Sequence, residues 1–164
     1  MQSSDTPAFT IRTATPADVP TLGQLGALLV RVHHEFDPAR FIPEAPRTAE
    51  FYGKFLASQL DEPDAFILVA EGDGAVLGYA FATVEGFDYM SLRGPAGVLN
   101  DIVVDPDHRH RGIGRALLDA TLAALTKRGT PRVVLSTAEQ NSGAQHLFAE
   151  AGFRRTMIEM TREL

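Results

Sequence analysis

The stretch Val103-Val104-Asp105-Pro106-Asp107-His108-Arg109-His110-Arg111-Gly112-Ile113-Gly114-Arg115-Ala116-Leu117 constrains this 164-residue chain more than any other. An apolar strand runs into a short cationic loop, two glycines follow, and a helix begins. The first amides of a helix have no partner within it, and the macrodipole makes that end positive. Such a junction binds phosphate well. Gly112 and Gly114 let the main chain approach a ligand with no Cβ in the way, and they allow positive φ where it is required. Arg109, Arg111 and Arg115 add charge suited to a pyrophosphate. Other phosphate motifs do not fit. A P-loop needs four residues between its glycines and a following Lys-Ser/Thr, and neither is present. A dinucleotide fingerprint needs Gly or Ala where this chain has Leu117. Taken alone, the stretch is also compatible with a plain glycine-containing connection flanked by surface arginines.

Length points to one domain, 1–164. A chain that is 45% hydrophobic and 22% charged matches ordinary soluble proteins. No run approaches the ~20 apolar residues of a bilayer helix, so no membrane partner is expected. With 15 Lys and Arg against 21 Asp and Glu, the net charge is −6, which argues against a nucleic-acid binder. The chain has no Cys, which excludes disulfides, thiolate metal sites and cysteine nucleophiles. The five histidines lack metal-ligand spacing with a carboxylate, so no metal is expected. The N-terminus MQSSDTPAFT has neither a basic start nor an apolar run, and a cytoplasmic location is expected.

Patterning predicts the order β-α-α-β-β-β-α-β-α-β. Ala8–Thr13 alternates like a half-buried strand, and Thr15-Pro16-Ala17-Asp18 reads as a helix start. Val19, Leu22, Leu25, Leu29, Val32 and Phe36 form one apolar stripe. A second helix is predicted over Thr48–Leu60, then strands at Ala65–Ala70 and Ala75–Val84 around a Gly72-Asp73-Gly74 turn. A loop at Gly86–Gly97, a strand at Val98–Val104 and a helix at Gly112–Lys127 follow. The remainder reads as a strand at Arg132–Thr137, a helix at Asn141–Ala151 and a strand at Phe153–Met160. A mixed α/β sheet with helices on both faces is implied.

Arg109-His110-Arg111-Gly112-Ile113-Gly114 matches Gln/Arg-x-x-Gly-x-Gly/Ala, and the chain resembles the GNAT superfamily of acyl-CoA-dependent N-acetyltransferases. Asp101–Pro106 is similar to that family's preceding strand, and Ala116-Leu117-Leu118 to its following helix. Asn141, Ala144, Leu147 and Phe148 are similar to its Asn-x-x-Ala-x-x-Leu-Tyr segment, and Ala151-Gly152-Phe153 to its terminal Gly-Phe. The resemblance implies a mostly antiparallel mixed sheet whose parallel strands 4 and 5 splay apart around acetyl-CoA. It assigns the pyrophosphate to Arg109 and the amides of His110, Arg111, Gly112, Ile113, Gly114 and Arg115. Ile102, Val103 and Val104 would bond the pantetheine arm as an added strand does, with the Val104 N–H polarising the thioester carbonyl. Asn141 would bond the same arm, and it is equally suited to cap a helix. Phe148 would line the same site.

The chemistry implied is direct attack by a neutral amine of a small molecule or peptide, with a base to take its proton. Here the chain departs from the family. Phe148 stands where many members have a Tyr acid, and Asn100 and Ser136 stand at two customary base positions. Asp101 is the nearest ionisable substitute, and it is counted with Asn141 and His33 as a candidate for the chemistry. A strand-edge carboxylate with no catalytic part is the competing reading of Asp101. His34 and Glu35 lie beside His33 at the end of the first helix. In the loop Gly86–Gly97, Phe87, Asp88, Tyr89, Met90 and Arg93 are further candidates for holding a cationic amine, with Tyr89 a candidate acid. A module that binds acyl-CoA without turnover is the alternative that Phe148 and Asn100 leave open. Net negative charge would steer polyamines, aminoglycosides or lysines toward the protein. A homodimer through Met157, Ile158 and Met160 is a further expectation.

Overall fold

The computed structural model describes residues 8–164; most of the N-terminal stretch MQSSDTPAFT lies outside that span. The order is β1 (Thr10–Thr13), α1 (Val19–Phe36), α2 (Thr48–Gln59), β2 (Ala65–Gly72), β3 (Ala75–Glu85), β4 (Ala96–Val104), α3 (Ile113–Lys127), β5 (Val133–Leu135) and α4 (Ser142–Glu150). The strands form one sheet in the order β1-β2-β3-β4-β5, antiparallel as far as β4 and parallel between β4 and β5. Among the described residues, no helix is long and apolar enough to cross a membrane.

Helices cover both sheet faces, and this is why β2 reads as a nearly continuous apolar run. On one face, Leu22, Leu25 and Leu28 of α1 and Leu56 of α2 bury against Ile67, Val69, Tyr79, Phe81 and Val103. On the other, Ile113, Leu117 and Leu118 of α3 and Phe148 of α4 pack on Ala70, Leu77, Ala80 and Leu99. The apolar stripe of α1 therefore does what its spacing predicts.

Two irregularities shape β4. The β3–β4 register slips so that Phe81 faces Asp101 and Ala82 faces Leu99, leaving Asn100 as an extra residue. A bulge of this kind bends a strand and re-aims the side chain beside it. On the other edge, β5 pairs only through Val133, Val134 and Leu135, against Gly97, Val98 and Leu99. Beyond Leu99, β4 runs on to Val104 with no strand partner on that side among the described residues.

The predicted strand Phe153–Met160 does not form. After α4 the chain turns through Gly152 at φ +91°, and residues 153–164 join no ladder. Phe153 donates its N–H to the Phe148 carbonyl and packs its ring on Phe148, and further along Arg155 binds Gln145 and Glu159 binds Arg40. Met157, Ile158 and Met160 are exposed rather than packed into a core. Alternating apolar residues make a strand only where a sheet edge takes up their amides.

The entry into α1 is held by charge. Asp18 is buried, reaches back to the Thr15 amide (2.7 Å), and accepts from the two terminal Arg12 guanidinium nitrogens at 2.8 and 2.9 Å. Arg12 also binds Glu71, which joins β1, β2 and α1. These donors, Arg12 first, lower the Asp18 pKa to about 2. A depressed carboxyl stabilises the fold above its ordinary value near 4, and that contribution is lost as pH falls toward 2. Because Arg12 is partly solvated, Asp18→Asn should cost about 1–2 kcal/mol at pH 7. In urea unfolding, the gap between variant and parent should close between pH 4 and pH 2.

Candidate functional site

Where β4 and β5 part, a cavity of about 290 Å³ opens. Its walls come from α1 (Leu29, Val30, His33), the following loop (Phe41, Ile42), Tyr52 of α2, β4 (Leu99 to Ile102), and Leu135 to Thr137 with Asn141, Ala144 and Phe148. Asp105 N–H donates to Leu77 of β3 at 2.8 Å. Since strand amides alternate in direction, Val103 shares that side, while Ile102 and Val104 turn their N–H groups toward the gap.

Asp101 sits on the cavity wall, on the sheet face covered by α1 and α2. Its Oδ2 accepts from two phenols, Tyr52 at 2.8 Å and Tyr79 at 2.9 Å. Its Oδ1 has no protein donor among the described residues. Burial pushes the Asp101 carboxyl above the usual carboxylate range, opposed by the two phenol donors and by His33. Burial and the neighbouring Asp101 charge hold both phenols protonated well above the ordinary tyrosine value. Gly26 makes the arrangement possible, because a Cβ there would lie 2.1 Å from Tyr52 Cδ1. The ring crosses α1 through the notch that Gly26 leaves.

The cationic loop follows β4 directly. Asp105 Oδ1 caps the turn Pro106–His108 through the Asp107 amide, and His110 and Gly112 take positive φ of 62° and 78°. The chain thereby delivers the free amides of α3 at the end of the gap. A Cβ on Gly114 would meet only Leu147 and Val104, each at 3.8 Å, so internal packing does not require glycine there. Arg109 and Arg111 are exposed and make no ion pair among the described residues. Arg115 instead binds Asp119 at 2.9 Å, which reduces the free charge it offers.

The remaining candidates separate. Asn141 caps α4 by accepting the Ala144 amide (3.2 Å), and its side-chain nitrogen has no acceptor among the described residues. His33 lines the cavity with Nδ1 at 2.8 Å from the Leu29 carbonyl and its ring edge-on to Phe36 and Phe41. His34 Nδ1 lies 2.8 Å from the Phe41 carbonyl and ties down the loop instead. Phe148 is buried against Phe153. Asn100 donates to Thr83 and to the Val98 carbonyl. None of Phe87, Asp88, Tyr89, Met90 or Arg93 lines the cavity. Asp88 caps its own turn through Met90 and Ser91, Arg93 binds Glu85, and Tyr89 and Met90 face solvent. Tyr52 and Tyr79 were not expected in the site. They lie inside a predicted helix and a predicted strand, and only the Gly26 notch and the strand register bring them to Asp101.

Residues 29–153 match the model of the acetyltransferase (GNAT) family. A mycothiol acetyltransferase of Cellulomonas flavigena is 33% identical over 128 residues, 74% of this chain and 37% of that protein. An uncharacterized N-acetyltransferase of Methanocaldococcus jannaschii is 30% identical over 92% of this chain and 62% of its own length. The chain thus spans about a third to under two thirds of the length of these relatives. An aminoglycoside N-acetyltransferase solved with CoA superposes with a TM-score of 0.69 at 19% identity, covering 95% of this chain and 94% of the other. At that identity the likeness shows a shared fold.

Removing one phenol tests the geometry around Asp101. A hydrogen bond to a carboxylate favours its ionised form, so Tyr52→Phe should move the Asp101 ionisation further up in pH. The carboxyl ¹³C resonance followed through a pH titration reads this. An unmoved midpoint would mean that the Tyr52 hydroxyl does not bond Asp101 in solution.

Proposed function

Since the chain belongs to the acetyltransferase (GNAT) family, we propose that it transfers the acetyl group of acetyl-CoA to a primary amine by direct attack in a ternary complex. One observation carries the reading. The gap between β4 and β5, with its unpaired Ile102 and Val104 amides, opens onto the same cavity as the free oxygen of Asp101.

The residues fit the co-substrate. The amides from His110 to Arg115, with the free cations Arg109 and Arg111, suit a pyrophosphate, and the uncrowded Gly114 leaves room for it. Ile102 and Val104 suit the amides of an extended arm, which they would take up as a sheet edge does. The Asn141 side-chain nitrogen adds a donor on the facing side. Acetyl-CoA supplies the activated acyl group. Asp101 takes the proton that the incoming ammonium must lose, at Oδ1, while Tyr52 and Tyr79 hold the carboxylate through Oδ2. The raised pKa of Asp101 makes it a better base than an ordinary carboxylate. His33, in the same cavity, is the second proton acceptor of the site. The amine nitrogen bonds the carbonyl carbon as the C–S bond breaks. Phe148 offers no proton to the departing sulfur, and Ser136 and Thr137 are the hydroxyls that this wall provides beside solvent.

Two variants and two readouts test this. Gly114→Val should fold as the parent does and weaken CoA binding at least tenfold in calorimetry. Asp101→Asn should keep CoA affinity and lower thiol release in the presence of amine by roughly 10²-fold or more. It should also abolish the loss of rate that the parent shows as pH falls and Asp101 is protonated. Undiminished CoA affinity in Gly114→Val would contradict the binding mode. Tight CoA binding by the parent with no turnover on any amine would mark a silent acyl-CoA-binding module.

A further inference from the structure

Resting on that transferase reading, we infer that the acceptor is a compact primary monoamine on an apolar body, an arylalkyl or alkyl amine, and not a polycation. The cavity has two chemically distinct halves. Of its neutral polar groups, Ser136, Thr137 and Asn141 belong to the β5–α4 side, where the acyl arm would lie, and Asn100 stands at the β4 bulge with its side-chain nitrogen bound to Thr83 and to the Val98 carbonyl. The opposite half is built from Leu29, Val30, His33, Phe41, Ile42 and Tyr52. Asp101 is the one carboxylate among the described residues that line the cavity, and one of its two oxygens is already engaged by the phenols.

An ammonium binds where an acceptor oxygen can replace its water, and a second buried ammonium needs a second such group. Oδ1 of Asp101 provides one. No other carboxylate is among the described residues that line the cavity. Glu44 is bound by Arg31 and Glu159 by Arg40. Asp37 follows α1 but is not among the residues that line the cavity. Size points the same way. About 290 Å³ lies at the bottom of the usual ~300–1,000 Å³ for ligand pockets, and the acyl group shares it. Net charge draws polycations toward the surface, but the pocket itself selects for one charge and an apolar remainder.

Hexylamine and 1,6-diaminohexane differ chiefly by the second charge, which makes them the critical pair. Thiol release from acetyl-CoA should give kcat/KM at least tenfold higher for hexylamine, with phenethylamine also favoured and spermidine poorest. Ile42 is 73% exposed at the rim, so Ile42→Asp adds a carboxylate without disturbing the core. That variant should narrow the hexylamine preference at least threefold. Equal or better use of the diamine or spermidine by the parent would overturn the inference while leaving amine transfer intact. So would a preference that Ile42→Asp does not change. Absence of thiol release with every amine, despite normal CoA binding, would instead remove the transferase reading and this inference with it.

Discussion

The site exists because β4 and β5 stop pairing after three residues. Parallel strands normally satisfy each other's amides along their length, and a gap in a buried sheet leaves donors that must find another partner. Here β5 ends at Leu135 while β4 continues to Val104, so the Ile102 and Val104 amides face the opening. The bulge at Asn100 lies at the start of that stretch and turns Asp101 into it. The left-handed Gly112 then swings the chain from strand to helix, so that a second set of unpaired amides stands at the far end. The Ile102 and Val104 donors follow from one strand outlasting its neighbour, and the bulge and the cationic loop add the half-buried carboxylate and the two arginines.

Stability and site chemistry meet at the packing of α1 on α2. Gly23 and Gly26 allow the two helices to approach closely, since a Cβ at Gly23 would lie 2.3 Å from the Ala49 carbonyl oxygen. That closeness lets Tyr52 cross α1 and reach Asp101. A half-buried carboxylate would be costly without donors, and two phenols supply them at one oxygen only. The other oxygen stays open to the cavity, so the fold tolerates the charge and still leaves it usable.

Much of this was legible in the amino-acid order because it depends on local chemistry. The strand–loop–helix stretch from Val103 to Leu117 announces its amides, glycines and arginines directly, and the apolar stripe of α1 faces the core as its period requires. The parts that were not legible depend on distant partners. Tyr52 and Tyr79 look like core residues, and nothing local marks them as donors to a residue 49 or 22 positions away. Phe153–Met160 has strand-like alternation but no sheet edge to join. Asp88 and Tyr89 have the composition of an amine-binding loop, yet the Asp88–Arg93 bridge folds that loop upon itself, away from the cavity.

Amide hydrogen exchange followed by NMR, with and without saturating CoA, tests the central claim most directly. Exchange at Ile102, Val104 and Gly112 to Arg115 should slow at least tenfold on binding, while Val103, whose N–H turns toward β3, should be unaffected. Saturation without protection at Ile102 and Val104, or with protection confined to another surface, would contradict the account of the strand gap as the binding groove.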